Sequence, residues 1–542
     1  MLPTDAARAA WLRTACVVAV PVVLAPLVIH QTLIELASPL FRDATQNQYT
    51  GWCVAHGVKL YAGIGAPDGP FIHFVHALIQ LFVGIKDSAC RRADLVLHVA
   101  GSGLMGALLA PRVGGQPASA PRCALWALVG VSLWLSWYMS GGWWHTVHTD
   151  PYYALCGYVG LVLVYASGEM PKHKARLAAM LGGAFVTLVI FSRHSGIAFP
   201  GAAAVAILFV DDPEREMRGL RAKWALLGAL IGAAVMVSAV VMLGSIPGFW
   251  FWYFRYPFGF YRWVGKQNGL GLIFGPFLEA TILAVVLTAG LVAGIRAKML
   301  PRRSIAFAVA SVLFLIAACI VGKGWSNHVQ QTTAATIPAA LLLLGKLSTL
   351  DGPVREARYK VALGLAVVFV GYRIASMLVA GPSWAHQAEE QADIAPAIAV
   401  GEFVKAHTRP DDTMFFYGHE LHAALYAERR PAVPYVANMM INTEGWYRSL
   451  PAAPGVGPNP EQRTVMKAIQ AEIAADTCER LMTKPPAAMV FLDESLGQFH
   501  HGVAEVTELC PTLPGLLSDR YTEVPVPGAD GYHVYLKTGV AP

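Results

Sequence analysis

Two carboxylates set beside long apolar runs are the residues best placed to do chemistry in this chain. Asp43 stands in the polar, Gly/Pro-rich stretch between residues 36 and 76, directly after Arg42 and ahead of a run of Gln, Asn, Tyr and Trp. Tyr61 and the turn Pro67-Asp68-Gly69-Pro70 follow. A carboxylate among hydrogen-bonding and aromatic side chains has the composition of a site that holds a sugar; the plainer role is to cap a short helix. Asp150 closes the stretch GGWWHTVHTD, with His148 two residues before it and Pro151 after it. Asp before Pro is an ordinary helix start. Two acids at one membrane face, both flanked by aromatics, are more than capping requires, because ionisable groups at span ends mark substrate paths.

Cations form the second group. Arg193-His194 sits at the tip of SRHSG, and Lys323 and His328 lie in GKGWSNHVQQTT. Arg255, Arg262 and Lys266 fall in the aromatic loop GFWFWYFRYPFGFYRWVGKQNG. Such charges call for an anion, and phosphate is the natural one; snorkelling to lipid headgroups is the alternative. The pattern HxxH occurs at 73–76, 145–148 and 419–422. It lacks the glutamate of zinc-protease motifs, so hydrogen-bonding or interfacial histidines are expected and a divalent metal, though possible, is not supported.

The elements that must position these residues are membrane spans. Of 542 residues, 55% are hydrophobic and only 14% charged, with mean hydropathy +0.47, against about 25% charged in soluble domains. About eleven segments are long and apolar enough to cross ~30 Å of hydrocarbon or to be buried by those that do. They lie near 11–33, 90–110, 123–140, 151–168, 176–192, 195–210, 223–243, 273–295, 305–321, 332–346 and 361–380. The segment 71–84 is too short and should lie along or dip into the outer surface. Every second loop is basic, which puts the N-terminus in the cytoplasm and loops 36–76, 141–150, 192–196, 244–272 and 322–331 outside. The net charge of +6 needs no nucleic acid to explain it. No cleavable leader is expected, since the first apolar run lacks a small-residue cleavage site.

Residues 1–382 are thus read as the transmembrane catalytic domain and 383–542 as an exported α/β domain. A helix is expected over 390–408, a turn at Arg409-Pro410-Asp411-Asp412, strands at TMFFYG, PYVANMMI and AAMVFLDES, and a helix over 460–483. Cys478 and Cys510 are the only cysteines of that tail and could form a disulfide in an oxidising compartment.

The whole layout resembles the GT-C-fold glycosyltransferases that use polyprenyl-phosphate sugars, the group that includes protein O-mannosyltransferases and the lipid A aminoarabinose transferase. RDATQNQYTGWCVAHGVKLYAG is similar to their first outer loop, HTDP to their second acidic motif, and GKGWSNHVQQTTAATIPAALLL to a late segment with a basic residue and a histidine. The resemblance implies Asp43 as catalytic base, and Lys323 and His328, with Arg193, as contacts of the lipid phosphate. Asp150, His148 and Tyr61 would hold sugar or acceptor hydroxyls. Many members carry two adjacent acids in the first loop, whereas Ala44 follows Asp43 here, so a metal role and a second carboxylate beside the first are not supported. The implied partners are a polyprenyl-phosphate sugar donor, an unnamed lipid, glycan or protein acceptor, and membrane lipid. The alternative is a transporter or flippase, for which the absence of internal repeats and the placement of acids at span ends are unfavourable.

Overall fold

The computed structural model describes residues 5–111, 118–142, 145–209, 215–325, 328, 330–347, 356–493 and 502–539. Each of the eleven apolar segments contains a helix. Nine helices run to residue 243: α1 (Asp5–Ala37), α2 (Arg42–Ala55), α3 (Pro70–Val83), α4 (Asp87–Leu108), α5 (Ala120–Ser140), α6 (Thr149–Ala166), α7 (Lys172–Leu188), α8 (Ala198–Leu208) and α9 (Arg215–Leu243). Further long helices are Leu278–Arg296, Ile305–Val321, Thr336–Leu347 and Glu356–Ala380. Among the described residues, six stretches are long and apolar enough to cross a membrane: Val17–Ala37, Ala120–Ser140, Lys172–Phe191, Met217–Leu243, Leu278–Arg296 and Arg302–Val321. The chain is an α-helical polytopic membrane protein with a small C-terminal sheet region.

The expected spans that do not qualify differ for physical reasons. α4 carries Arg91, Arg92 and Asp94, and turns Arg91, Asp94 and His98 inward, where protein rather than lipid satisfies them. α6 begins on a polar turn and is buried along its length save Cys156. α8 is simply short. α3 buries His73, His76, Ile79 and Gln80 and leaves Leu78, Leu81 and Phe82 exposed, an apolar stripe in keeping with a surface-lying helix. Close approach by small residues holds the bundle, as expected where lipid supplies no hydrophobic drive. A Cβ on Gly183 of α7 would sit 2.0 Å from the Ala225 carbonyl oxygen of α9.

The tail begins with helix Trp384–His407. The turn at 409–412 is closed by the Arg409 amide donating to Asp412 Oδ2 at 2.8 Å. A five-stranded sheet follows, in order β2-β1-β3-β5-β4. β1 (Thr413–Tyr417) lies parallel to β2 (Arg430–Pro431) and β3 (Ala488–Leu492), and β5 (Tyr532–Lys537) runs antiparallel to β3 and β4 (Tyr521–Val524). Helix Pro460–Thr483 leads into β3, its start fixed by a capping box between Asn459 and Gln462. PYVANMMI does not form the expected strand. Pro434 cannot donate to a ladder, Tyr435 makes only an isolated bridge to Gly65, and Asn438–Ile441 is helical.

Cys478 and Cys510 are joined, with Cα atoms 5.3 Å apart at a sequence separation of 32. Closing a loop of that length stabilises the tail by about 3–4 kcal/mol in the chain-entropy picture. Replacing both cysteines by alanine should lower the denaturant midpoint of tail unfolding to that of the reduced wild type. Equal midpoints for the oxidised protein and the double variant would contradict this.

Candidate functional site

α2 is polar in sequence yet buried from Ala44 to Val54, because it lies between α3 and the tail. Its polar residues therefore bond to neighbours. Asn47 Nδ2 donates to Thr149 Oγ1, and Thr149 Oγ1 donates to Asp68 Oδ2, each at 3.0 Å. The Tyr49 hydroxyl donates to the Arg429 carbonyl at 2.9 Å. Asp43 falls in the first turn, where the helix N-terminus favours a negative charge.

Three other segments converge on it. The first is the turn before α6, in which Val147 adopts φ +60°, an uncommon conformation for a β-branched residue. The Val147 amide donates to the Tyr138 hydroxyl at 2.9 Å, and that hydroxyl donates to Asp94. The second is the α7–α8 hairpin. Gly69 donates to the Ser192 carbonyl at 2.8 Å, and a Cβ there would meet the Phe191 carbonyl oxygen at 1.9 Å, so only glycine lets Asp68 approach Arg193. The third is the segment after Val321.

At the centre, His148 bridges two carboxylates: Nε2 lies 3.3 Å from Asp43 Oδ2 and Nδ1 lies 3.3 Å from Asp150 Oδ2. Arg193 Nε stands 3.2 Å from Asp150 Oδ1 and 3.5 Å from Asp68 Oδ1. The Asp150 amide is 3.4 Å from His148 Nδ1, a contact that only a neutral imidazole could accept. Between two carboxylates the imidazolium is favoured, with both nitrogens donating. Burial opposes that charge, but the hydrogen bonds and charges of Asp150 and Asp43 outweigh it and raise His148 to about 9. For Asp43 burial again acts first and upward. The His148 hydrogen bond, then the charges of His148, His419 and Arg193, hold its carboxyl below the ordinary value.

These residues border a cavity of about 720 Å³. Asp43, His148, Arg193, Lys323 and His328 line it, together with Asp68, Tyr153, Tyr253, Tyr261, Arg262 and Trp446. Asp150 does not line it. Fully buried, it sits behind the wall and meets His148 and Arg193 rather than a hydroxyl-bearing ligand. Tyr61 also lies outside the lining: its hydroxyl donates to the Asp68 carbonyl at 2.8 Å and so supports the 67–70 turn. Arg255 pairs with Glu472 of the tail at 2.6 Å.

Lys323 is fully buried with no carboxylate partner among the described residues. Its Nζ donates to the Tyr261 carbonyl at 2.9 Å and stands 3.2 Å from the Tyr261 ring centroid and 4.7 Å from that of Trp325. Burial, then the charges of Arg193 and Lys266, push its pKa far down. His328 is driven to about 3, first by burial and then by Arg193, and is a neutral imidazole. Its Nε2 is sealed from solvent without a hydrogen-bond partner among the described residues.

Asp68 was hidden in the sequence as a turn residue; only the Gly69–Ser192 contact brings it to Arg193. His419 comes from the tail, and its HxxH spacing carried no hint of a cavity. None of the HxxH pairs belongs to a group of three or more His, Cys, Asp or Glu side chains able to hold a metal, among the described residues.

No family model matches the chain, and no curated protein matches it. Solved structures are similar in overall path. ArnT from Cupriavidus metallidurans bound to undecaprenyl phosphate is 14% identical over 96% of this chain and 98% of its own, with TM-score 0.49. The same protein in the apo state is 15% identical over 95% and 97%, also at 0.49. The oligosaccharyltransferase of Archaeoglobus fulgidus is 12% identical over 86% of this chain and 69% of its own, at 0.43. Both proteins are GT-C-fold glycosyltransferases, the family that the sequence resembles. At these scores the likeness adds no argument to the geometry.

The charge chain has a pH signature. His148 is raised above its ordinary 6.5, so the stability it contributes is whole below pH 6.5 and is lost as pH rises through about 9. Asp43, being lowered, contributes stability that is present above 3.8 and lost as pH falls through its depressed value. The thermal midpoint of the purified protein should therefore fall between pH 7 and 10, and His148→Gln should flatten that fall. An identical alkaline decline in the variant would remove His148 as its cause.

Proposed function

We propose that the protein is a membrane glycosyltransferase that moves a sugar from a polyprenyl-phosphate donor to an acceptor hydroxyl at the outer face of the cytoplasmic membrane. The observation that carries this reading is the pairing, in one cavity, of an ionised carboxylate with a buried lysine that has no carboxylate partner among the described residues. The lysine end suits a phosphate, whose charge would offset the desolvation of Lys323. Around it, Ala317, Ile320 and Phe258 line the cavity, with Ile320 and Phe258 exposed, and give a prenyl chain an apolar way out. Tyr153, Tyr253 and Tyr261 offer the polar-aromatic wall that a sugar ring requires.

In this mechanism the acceptor oxygen attacks the anomeric carbon on the face opposite the phosphate. The new C–O bond forms as the C–O bond to phosphate breaks, the bonding pair leaves with the phosphate, and the hydroxyl proton passes to Asp43. The configuration inverts. A carboxylate with a depressed pKa is a weak base but is fully ionised at neutral pH. It suits a step in which the attacking hydroxyl becomes acidic only as its bond to carbon develops, a contribution typically worth about 10²–10⁴-fold. Arg193 and Lys323 provide positive charge where the leaving phosphate gains negative charge, and neutral His328 contributes a hydrogen bond rather than a charge. Asp150 acts through His148 and Arg193, holding both. The alternation of basic loops supports an orientation with the N-terminus and the Lys346 side in the cytoplasm and the cavity and tail outside.

With undecaprenyl-phosphate-linked hexoses as donors, Asp43→Asn should leave donor binding intact and lower turnover by about 10²-fold or more. Lys323→Ala should raise the donor KM instead. Transfer near the wild-type rate by the Asn variant would remove Asp43 as the base, and unchanged donor dependence would reassign Lys323. Orientation is checked separately: a reporter fused after Pro542 should be active only outside the cytoplasm, and cytoplasmic activity would invert the topology.

A further inference from the structure

Part of the cavity lining is assigned above neither to the sugar nor to the leaving phosphate. Gln46 and Asp43 are three residues apart on α2 and so share one face, and both line the cavity. His419, from the tail, lines it too. Gln46 and His419 are nearly buried, and His419 Nδ1 is sealed from solvent without a hydrogen-bond partner among the described residues. Buried polar groups are ordinarily satisfied, so unpartnered ones at a cavity wall point to a ligand.

His419 is held there firmly. Glu420, the next residue, pairs with Arg42, the residue before Asp43. One ion pair thus ties both chemically relevant positions together. His422 reinforces it, with Nε2 3.2 Å from Thr45 Oγ1 and 3.4 Å from Asp87 Oδ2. The Arg430 guanidinium donates to the His56 carbonyl at 3.1 Å at the far end of α2. Burial, the leading cause, brings His419 to about 4, so it is a neutral imidazole, able to donate and accept at once.

We propose that Gln46 and His419 form the acceptor subsite, and that the acceptor is a neutral polyhydroxy group, a glycan or glycosylated lipid, rather than a phosphorylated one. This rests on the glycosyltransferase reading above. The polar groups beside Asp43 are two uncharged hydrogen-bonding side chains and the Asp43–His148 ion pair, which is neutral overall and offers no free cation to an anionic acceptor. A sugar hydroxyl next to the attacking one would bond to His419 and Gln46, which aligns the attacking oxygen with Asp43. The exported tail is then part of the substrate site.

The test uses the full-length protein in detergent with radiolabelled undecaprenyl-phosphate hexoses as donors. The acceptors are neutral and phosphorylated glycan fractions of a cell-envelope extract. Label should enter the neutral fraction. His419→Ala and Gln46→Ala should each raise the acceptor KM roughly 3- to 10-fold, the effect of one lost hydrogen bond, and His419→Asn should recover part of it. Binding of undecaprenyl phosphate alone should match wild type in these variants. Label entering only the phosphorylated fraction would overturn the subsite, as would unchanged acceptor KM in both alanine variants. A loss confined to thermal stability would reduce His419 to a packing role and overturn it too. Failure of the wild type to transfer from any donor would instead remove the glycosyltransferase reading, and this inference with it.

Discussion

A carboxylate with no exposure to solvent must be neutralised by protein, and Asp150 sets that demand at the start of α6. Two cations meet it, His148 from the preceding turn and Arg193 from the α7–α8 hairpin. Removing either would leave a buried charge under-compensated, a loss far larger than that of a surface ion pair. The demand therefore fixes three segments at once. Because His148 has a second nitrogen, the same constraint reaches Asp43; because Arg193 also faces Asp68, it reaches the 67–70 turn. The supports extend into the bundle, where Tyr138 joins the Val147 amide to Asp94. The cavity wall is positioned by this network rather than by any single helix.

Asp43 and Lys323, both in the cavity lining, differ in electrostatic surroundings. On the side of Asp43, charge is paired through His148. Near Lys323, an amine is surrounded by aromatic rings and a carbonyl, a placement that disfavours its charge until an anion offsets the burial. The tail contributes His419, Met440, Trp446 and Leu450 to the same wall. Its docking along α2 joins the C-terminal segment to the helical bundle at the cavity wall.

Much of this was legible because charge is scarce in such a chain. When only 14% of residues are charged, those outside the spans attract notice, and Asp43, His148, Arg193, Lys323 and His328 all border one cavity. The apolar helices were legible from run length, down to the short hairpin between α7 and α8, whereas α2, polar in sequence, falls in the stretch read as a loop. What could not be read was depth. Asp150 and Asp43 look alike in sequence, yet one is sealed behind the wall and the other has a side chain 46% accessible. The difference arises from the hairpin folding over α6. Tyr61 reads as a sugar contact and serves as a brace, because its φ of +68° turns the hydroxyl to the Asp68 carbonyl. Asp68 and His419 depend on contacts 125 and 376 residues away, with Arg193 and Asp43 respectively, which no local pattern encodes. In the tail, local β-propensity at PYVANMMI gave way to docking, as Pro434 and Tyr435 bond to Gly65 of the first outer loop.

The central claim is that this cavity holds a lipid-linked phosphate at its lysine end. A density map of the full-length protein in lipid nanodiscs with undecaprenyl phosphate tests it most directly. The account predicts a phosphate within hydrogen-bonding distance of Lys323 Nζ and His328 Nε2, with the prenyl chain leaving past Phe258 and Ile320. A phosphate bound elsewhere, with Lys323 still enclosed by Tyr261 and Trp325 alone, would contradict it.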